Sequence, residues 1–397
     1  MNPTLSSTSI RNSSSPVRPV LKVIGLGGGG CNAVNRMIEL GMKGVEFIAA
    51  NTDHQALQSC QAPVKIQLGP HSTRGLGAGG NPSVGEAAAE ESYRELGVAL
   101  TGADMVFLTA GMGGGTGTGS IPIAARVARS LGAVTIAIVT TPFSFELGRR
   151  QQNARQGLAK LRQFTDTLIT VPNDRLLNIA KKDLTLDMAF HLADDVLRQG
   201  IQGIAEIINE TGMLNVDFSH IRRLMTLGGG SLMAIGFGQG PNKARQAVDQ
   251  ALNHPLLESV SIDCAAGMIV NFTGGSDLTF HEVMDAMSYL QEQAGNRAEI
   301  IPGVTNDENM GDRAQVILIV TGLGATPIES TLPGAEKLIP APKPPVYERE
   351  ESHPVEVSPH APAAGTAPSD TPPVELSTST PNLDLPAFLR RRTRFAV

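Results

Sequence analysis

Residues 111–120 read GMGGGTGTGS, six glycines in ten positions. No ordinary strand or helix interior keeps such a run, because every glycine fixed on folding costs backbone entropy. An apolar segment, residues 103–109 (ADMVFLT), precedes it and an apolar-periodic segment, residues 121–131, follows it. The first reads as a buried strand and the second as a helix, so the run is a strand-to-helix junction. Glycines there permit positive φ and close backbone approach, while Thr116, Thr118 and Ser120 bring hydroxyls to a helix start. Backbone N–H groups at a helix N-terminus form an anion cradle, which makes a phosphate-binding loop the expectation. A flexible linker would not be clamped between a buried strand and a helix.

Two more glycine-rich segments have the same setting. Residues 20–24 read as a strand that runs into GLGGGGCN at residues 25–32, followed by an amphipathic helix to Leu40 closed by Gly41. This matches the dinucleotide fingerprint G-x-G-x-x-G. That fingerprint also requires an acid about 20 residues on for a ribose hydroxyl, and the first candidate after the next strand, residues 45–50, is Asp53. A third strand, residues 64–68, leads to GLGAGGNP at residues 75–82, where Asn81 is a natural N-cap and Pro82 a natural first residue for a helix to residue 97. Three glycine loops at corresponding strand ends can converge on one ligand carrying several phosphates. A nicotinamide-dependent oxidoreductase requires only one such loop and is the weaker reading. No G-x-x-x-x-G-K-[ST] is present, which excludes the P-loop class through its missing lysine.

Further along, a strand at residues 134–140 leads to TPFSFE, residues 141–146. Glu146 and Arg150 stand four apart at the start of the next helix, either as a plain ion pair or as ligand contacts. A strand at residues 167–171 ends at Pro172, Asn173 and Asp174. Residues 185–209 carry the longest helical pattern, too apolar for a surface helix, and read as a central helix between two domains. Phe190 and Asp194, one turn apart near its start, are either a core aromatic and a solvated acid or a face for a base. Asp217 reads as the N-cap of a helix over residues 219–227. Strand 231–238, helix 243–253, strand 267–272, helix 279–293 and strands 298–304 and 315–321 make a second, smaller α/β domain without a glycine loop of its own.

At 397 residues and 41% hydrophobic content, the chain can bury two cores. A net charge of -6, with no basic patch in the body, argues against nucleic acid as a partner. No run of about 18 apolar residues and no secretory h-region occur, so the expectation is a cytoplasmic protein that does not span a membrane. Cys31, Cys60 and Cys264 lack C-x-x-C spacing and read as free thiols. Pro, Ser, Thr, Ala and Glu dominate residues 1–19 and 326–381, which should be disordered. Residues 382–397 regain apolar and aromatic side chains followed by arginines, as in a short docking peptide. The expected organisation is therefore 1–19 disordered, 20–184 nucleotide-binding, 185–209 central helix, 210–325 second α/β domain, 326–381 linker and 382–397 docking peptide.

The strings GGGTGTGS, VIGLGGGGCNAVNRM, VEFIAANTD, GLGAGGNP, VTTPFSFE and NVDF resemble those of the tubulin and FtsZ family, its bacterial cell-division members above all, over residues 20–324. The tail string LDLPAFLRRR resembles the peptide by which those members bind membrane adaptors. The resemblance implies an α/β fold with a Rossmann-like GTP-binding domain, a long central helix and a second, smaller α/β domain. It implies GTP and GDP as ligands, Mg2+ with the nucleotide, and a GTPase that polymerises head to tail into a division ring at midcell. The active site is then completed by the next subunit, and adaptor proteins dock on residues 384–394 (Asp384 to Arg394). By the same resemblance Gly28, Gly29, Gly30, Cys31 and Asn32, with Gly115, Thr116 and Gly117, hold phosphates. Ala78, Gly79 and Gly80 face the γ-phosphate. Glu146 contacts the ribose and Arg150 the nucleotide, with Asn173 nearby, and Phe190 and Asp194 face the guanine. Asn215 and Asp217 match the loop that meets the neighbour's γ-phosphate, and no protein side chain is implied as a metal ligand. The family pattern NVDFxD has a second acid where this chain has His220. That departure implies slow hydrolysis, or in the extreme a GTP-regulated structural polymer with almost none.

Overall fold

The structure is a computed structural model that describes residues 18–146, 148–177, 185–209, 217–257, 262–295 and 298–323, with backbone alone at 186 and 264. The expectations for the chain ends, the docking peptide and Asn215 lie outside these residues.

Strand β1 (Leu21–Leu26) is buried along its whole length and feeds α1 (Gly27–Glu39) directly. β2 (Glu46–Asn51), the short α2 (His54–Gln58) and β3 (Val64–Gln67) follow, then α3 (Pro82–Glu91) and α4 (Tyr93–Leu100). β4 (Met105–Gly111), α5 (Thr116–Ser130), β5 (Val134–Thr141), α6 (Arg149–Leu161), β6 (Thr167–Pro172) and α7 (Asn173–Leu177) complete the first domain. Its strands are all parallel in the order β3-β2-β1-β4-β5-β6. Strands buried on both faces under crossover helices are what near-continuous apolar runs produce. Strand order reverses between β1 and β4, the position where doubly wound sheets bind ligands.

The central helix α8 (Leu186–Asn209) and α9 (Phe218–Met225) lead to β7 (Gly230–Gln239), α10 (Lys243–Leu252), β8 (Gly267–Gly274), α11 (Phe280–Gln293), β9 (Glu299–Asn306) and β10 (Arg313–Leu323). β7, β10 and β8 are antiparallel and β9 runs parallel to β8. One parallel bridge, Ile169 to Ser231, joins this sheet to β6. A single apolar core runs from Val23 and Phe107 of the first sheet through Val196, Leu197, Ile201 and Ile204 of α8 to Ile269, Ile301 and Ile317 of the second. The helix expected between two domains is therefore the element they share.

Three local expectations are corrected. Gly27 to Gly30 form the first turn of α1 instead of a loop before it, because Leu26 is still extended and the helix starts on the next residue. The single helix expected to residue 97 is broken at Ser92. Its buried hydroxyl accepts from Gly69 N–H (3.0 Å) and donates to the Gln67 carbonyl (3.2 Å) at the end of β3. Asn173 and Asp174, expected at the end of a strand, open the helix α7 instead.

α3 lies against α5 at backbone contact. A Cβ on Gly119 would stand 2.0 Å from the Pro82 carbonyl oxygen, whereas one on Gly97 of α4 would meet nothing within 4 Å. Gly119→Ala is therefore expected to destabilise the protein by about 3 kcal/mol through backbone overpacking. Gly97→Ala should stabilise it by about 0.5 to 1 kcal/mol. Urea midpoints at equal m-value read both.

Candidate functional site

The parallel strands all end on one edge of the first sheet, and the three glycine-rich segments meet there. At the switch point α1 and α5 start side by side. Neither has a side-chain cap or an acidic residue in its first turn, whereas Asp53, Asn81, Asp217 and Thr279 cap α2, α3, α9 and α11. The first-turn N–H groups of α1 and α5 have no partner within their helices, and both helix dipoles add positive potential. Gly27, at φ +69°, brings the turns together: a Cβ there would stand 2.7 Å from Gly117 N. Gly28 and Gly29 are exposed. A Cβ on Gly28, Gly79 or Gly80 would touch nothing within 4 Å; Gly79 and Gly80 are held at φ +58° and +77°, whereas neither packing nor backbone conformation explains Gly28. All three leave bare backbone facing open space, which suits an anion with several charges.

Side chains brace the three segments. Thr52 and Thr116 share a hydrogen bond of 2.6 Å between their hydroxyls, linking the end of β2 to the start of α5. Asn153 Nδ2 donates to the carbonyls of Gly80 (3.3 Å) and Gly113 (3.2 Å), tying the second glycine segment to the third. Asn153 was not foreseen. Its signal was spacing: with Arg150 and Gly157 it shares the face of α6 that meets the glycine stretch. Cys31 and Ala78 are buried, while Asn32 is exposed on the first turn of α1.

Glu146 and Arg150 form the plain ion pair at 2.8 Å, with the carboxylate 5% exposed. Glu146 Oε1 also accepts from Phe143 N–H at 2.9 Å. Asn173 is buried and its Oδ1 has no hydrogen-bond partner. A buried acceptor of this kind is costly unless a ligand satisfies it. Phe190 meets the buried Phe143 edge-on at 5.5 Å, and Phe143 stacks on the exposed Phe145 at 5.1 Å. Burial pushes the Asp194 carboxyl up to about 8, against the pull of Arg36 on α1 and with a smaller push from Asp195. Arg36, also unforeseen, has a buried Nε without a hydrogen-bond partner. Asp53, the acid that a dinucleotide fingerprint needs, is engaged as the cap of α2, accepting from Ala56 N–H at 3.1 Å.

Asp217 and His220 are not brought to this edge. Asp217 caps α9, accepting from Ser219 N–H at 2.9 Å, which holds its carboxyl below the usual range. Both side chains are exposed. Asn209, at the end of α8, donates to the Gly44 carbonyl (2.8 Å) just before β2, and Thr167, at the start of β6, donates to the Met225 carbonyl of α9 (2.5 Å). α9 therefore lies at the N-terminal edge of the parallel sheet. The 24 residues of α8 separate the two ends by about 36 Å.

Residues 20–181 match the family model for the GTPase domain of the tubulin/FtsZ family, and residues 229–324 match that for the FtsZ C-terminal domain. Among solved structures, an empty FtsZ dimer from M. jannaschii is 42% identical, with a TM-score of 0.74 over 77% of this chain and 89% of that one. A single-substitution mutant of M. jannaschii FtsZ matches at 42% identity and 0.75, covering 77% and 92%. The chain belongs to the tubulin/FtsZ family. A CetZ2 protofilament with GTPγS from Haloferax volcanii, 19% identical over 80% of this chain and 98% of that one at 0.64, shares the fold. Membership assigns the edge just described to a GTPase domain, and with it GTP or GDP binding and GTP hydrolysis at the level of the family. Among the described residues no three His, Cys, Asp or Glu side chains converge on a metal position, and no helix is long and apolar enough to cross a membrane.

A carboxyl raised by folding binds a proton that the unfolded chain has lost, so its contribution falls as pH rises from the unfolded value near 4 to the folded value. For Asp194 that window ends at about 8. Asp194→Asn should therefore flatten the loss of nucleotide-free stability between pH 5 and 8, read as Tm against pH beside the parent chain.

Proposed function

We propose that this chain is a GTP-hydrolysing, tubulin-like protein that polymerises head to tail into the filaments of a bacterial division ring. Its nucleotide sits on the edge formed by α1 and α5, and the neighbour's α9 end completes the active site. The observation that carries this reading is the pair of uncapped helix starts at the switch point, fronted by glycines that packing does not require. N–H groups of Gly28, Gly29, Gly30, Cys31 and Asn32 on one turn, and of Gly115, Thr116 and Gly117 on the other, cradle the α- and β-phosphates. Ala78, Gly79 and Gly80 close over the γ-phosphate. Glu146 and Arg150 reach the ribose and phosphates, Asn173 offers its unsatisfied oxygen, and Phe190 and Asp194 take the guanine. An ionised Asp194 accepts the base's two N–H donors, so binding draws its proton off.

Mg2+ bound with the nucleotide supplies charge neutralisation at the phosphate oxygens. Asp217, with Asn215 two residues before it in sequence, orients the attacking water on the neighbour's nucleotide. Neutral imidazole at His220 accepts a proton or orients water, but it does not bring the charge of a carboxylate. A second reading, a GTP-regulated scaffold with very slow turnover, rests on that exposed His220 in the place of the family's second acid. The working place is the cytoplasm at midcell, with adaptor proteins docked on residues 384–394.

GTP turnover against protein concentration tests the shared site. Turnover per subunit should rise steeply above a critical concentration, and a flat, near-zero line selects the scaffold. His220→Asp should raise polymer-stimulated turnover about tenfold or more, and an unchanged rate between pH 6 and 8 removes the role given to His220. Deleting residues 384–397 should leave assembly intact and abolish recruitment to adaptor-bearing membranes. Loss of assembly itself contradicts that division of labour.

A further inference from the structure

The two faces of the joined sheets are covered differently. On one face α8 and the core around it run across both sheets without a break. On the other, the first sheet has its own core beneath α3 to α6, and the second has another beneath α10 and α11. These outer cores are separate clusters, and a groove of about 400 Å³ lies between them. Leu158 of α6 and Leu168 of β6 line it on the first domain, Leu232 of β7 and Leu323 of β10 on the second, all four half-buried. Between them runs the lone bridge from Ile169 to Ser231, so the groove also marks where the sheets are joined most thinly. Gly229 and Gly230 leave bare backbone there, and a Cβ on Gly229 would stand 3.0 Å from the Leu323 carbonyl oxygen. Arg162 of α6 is exposed at the rim.

We propose that residues 326–332 of the same chain, TPIESTL, occupy this groove, with Ile328 and Leu332 seated between the two outer cores and Glu329 toward Arg162. β10 delivers the chain to the place. A bulge between Val320 and Leu323, with Gly322 at φ +72°, shifts the register so that Leu323 pairs with Gly230 and ends against the groove. Ile328 and Leu332 are the first large apolar side chains after it, and the five-residue tether to Ile328 reaches at most about 17 Å. A tether this short gives an effective concentration on the order of millimolar, so the burial of two aliphatic side chains suffices for occupancy where a free peptide would bind weakly. Pro327 and Pro333 bracket the pair and reduce the chain entropy that docking removes. A second copy of the chain is the weaker occupant, because it gives up translational freedom that the tethered segment has already lost. Glu329 also brings the charge that complements Arg162 at the rim. The seated segment adds a second span across the joint of the two sheets, on the face opposite α8. The remaining chain, from Pro333 onward, then leaves from the α6 side of the molecule.

The test uses the full chain with the photoreactive residue benzoylphenylalanine in place of Ala159, an exposed residue that lines the groove. Irradiation should give a monomer-sized product in which position 159 is joined to residues 326–332, read by peptide mass spectrometry, at a yield independent of protein concentration. Ile328→Asp combined with Leu332→Asp should lower that yield about tenfold and leave the far-ultraviolet circular dichroism of the parent unchanged. Leu338→Asp combined with Ile339→Asp, which alters the next apolar pair along the chain, should leave the yield within about twofold of the parent. A product joining two copies, a product with residues 382–397, or no product beyond the walls of the groove each overturn the proposal. So does a yield that the first pair of substitutions leaves unchanged, or that the second pair lowers as much as the first.

Discussion

The backbone contact between the first turns of α1 and α5 is the constraint on which the rest depends. It exists because Gly27 and Gly117 carry no Cβ. A Cβ on Gly27 would stand 2.7 Å from Gly117 N, and one on Gly117 would stand 3.1 Å from the Leu26 carbonyl oxygen. Two helix N-termini held this close place like partial charges of about half a unit each side by side, an unfavourable arrangement in the empty chain. A polyanion reverses its sign. Stability and ligand occupancy are therefore coupled at this contact, and the same crossing sets where β1 and β4 end relative to each other.

α8 carries that constraint across the molecule. Its apolar face, from Ala193 to Ile204, packs into the shared core. A polar row along the same helix meets the second sheet. Asp195 takes Arg198 (2.8 Å) and Gln199 (2.6 Å), Gln315 of β10 donates to Gln199 (2.5 Å), and Asn271 of β8 donates to Glu206 (2.9 Å). Apolar packing alone tolerates sliding, whereas directional hydrogen bonds in a satisfied network select one register. The second domain is thus indexed on α8, whose first turns adjoin the aromatic cluster of Phe143 and Phe190 and whose last residue reaches Gly44 at the far edge.

What could be read without coordinates was what is local in sequence. The six strands of the first sheet, the alternation in the second domain and the span of α8 follow from apolar periodicity, and the Glu146–Arg150 pair follows from i,i+4 spacing. The misses are long-range. Glycine's low helix propensity argues against helix at Gly27 to Gly30, yet the strand feeding them and α5 beside them impose it. Ser92 breaks a helix by bonding to residues more than 20 positions earlier. Arg36 acts on the Asp194 carboxyl from α1 to α8, and Cys60 Sγ meets the Cys31 carbonyl across two intervening elements. None of these pairings has a periodic signature. The glycine loops announced the site, and the residues that brace or tune it emerged only when the chain was folded.

The placement of the two ends bears on assembly. In the proposed reading, one chain holds an anion cradle on the C-terminal edge of its first sheet and an exposed, ionised Asp217 on the opposite edge. No rearrangement short of unfolding α8 brings them together, so a lone copy has phosphates without the group that activates water. An end-on two-fold dimer does not help, because it sets like ends together, cradle to cradle or acid to acid. An end-on heterologous contact sets the acid of one copy against the cradle of the next, and each addition leaves the same two ends free. In that reading the contact, repeated without closure, is a filament, and hydrolysis within it belongs to the joint instead of the subunit.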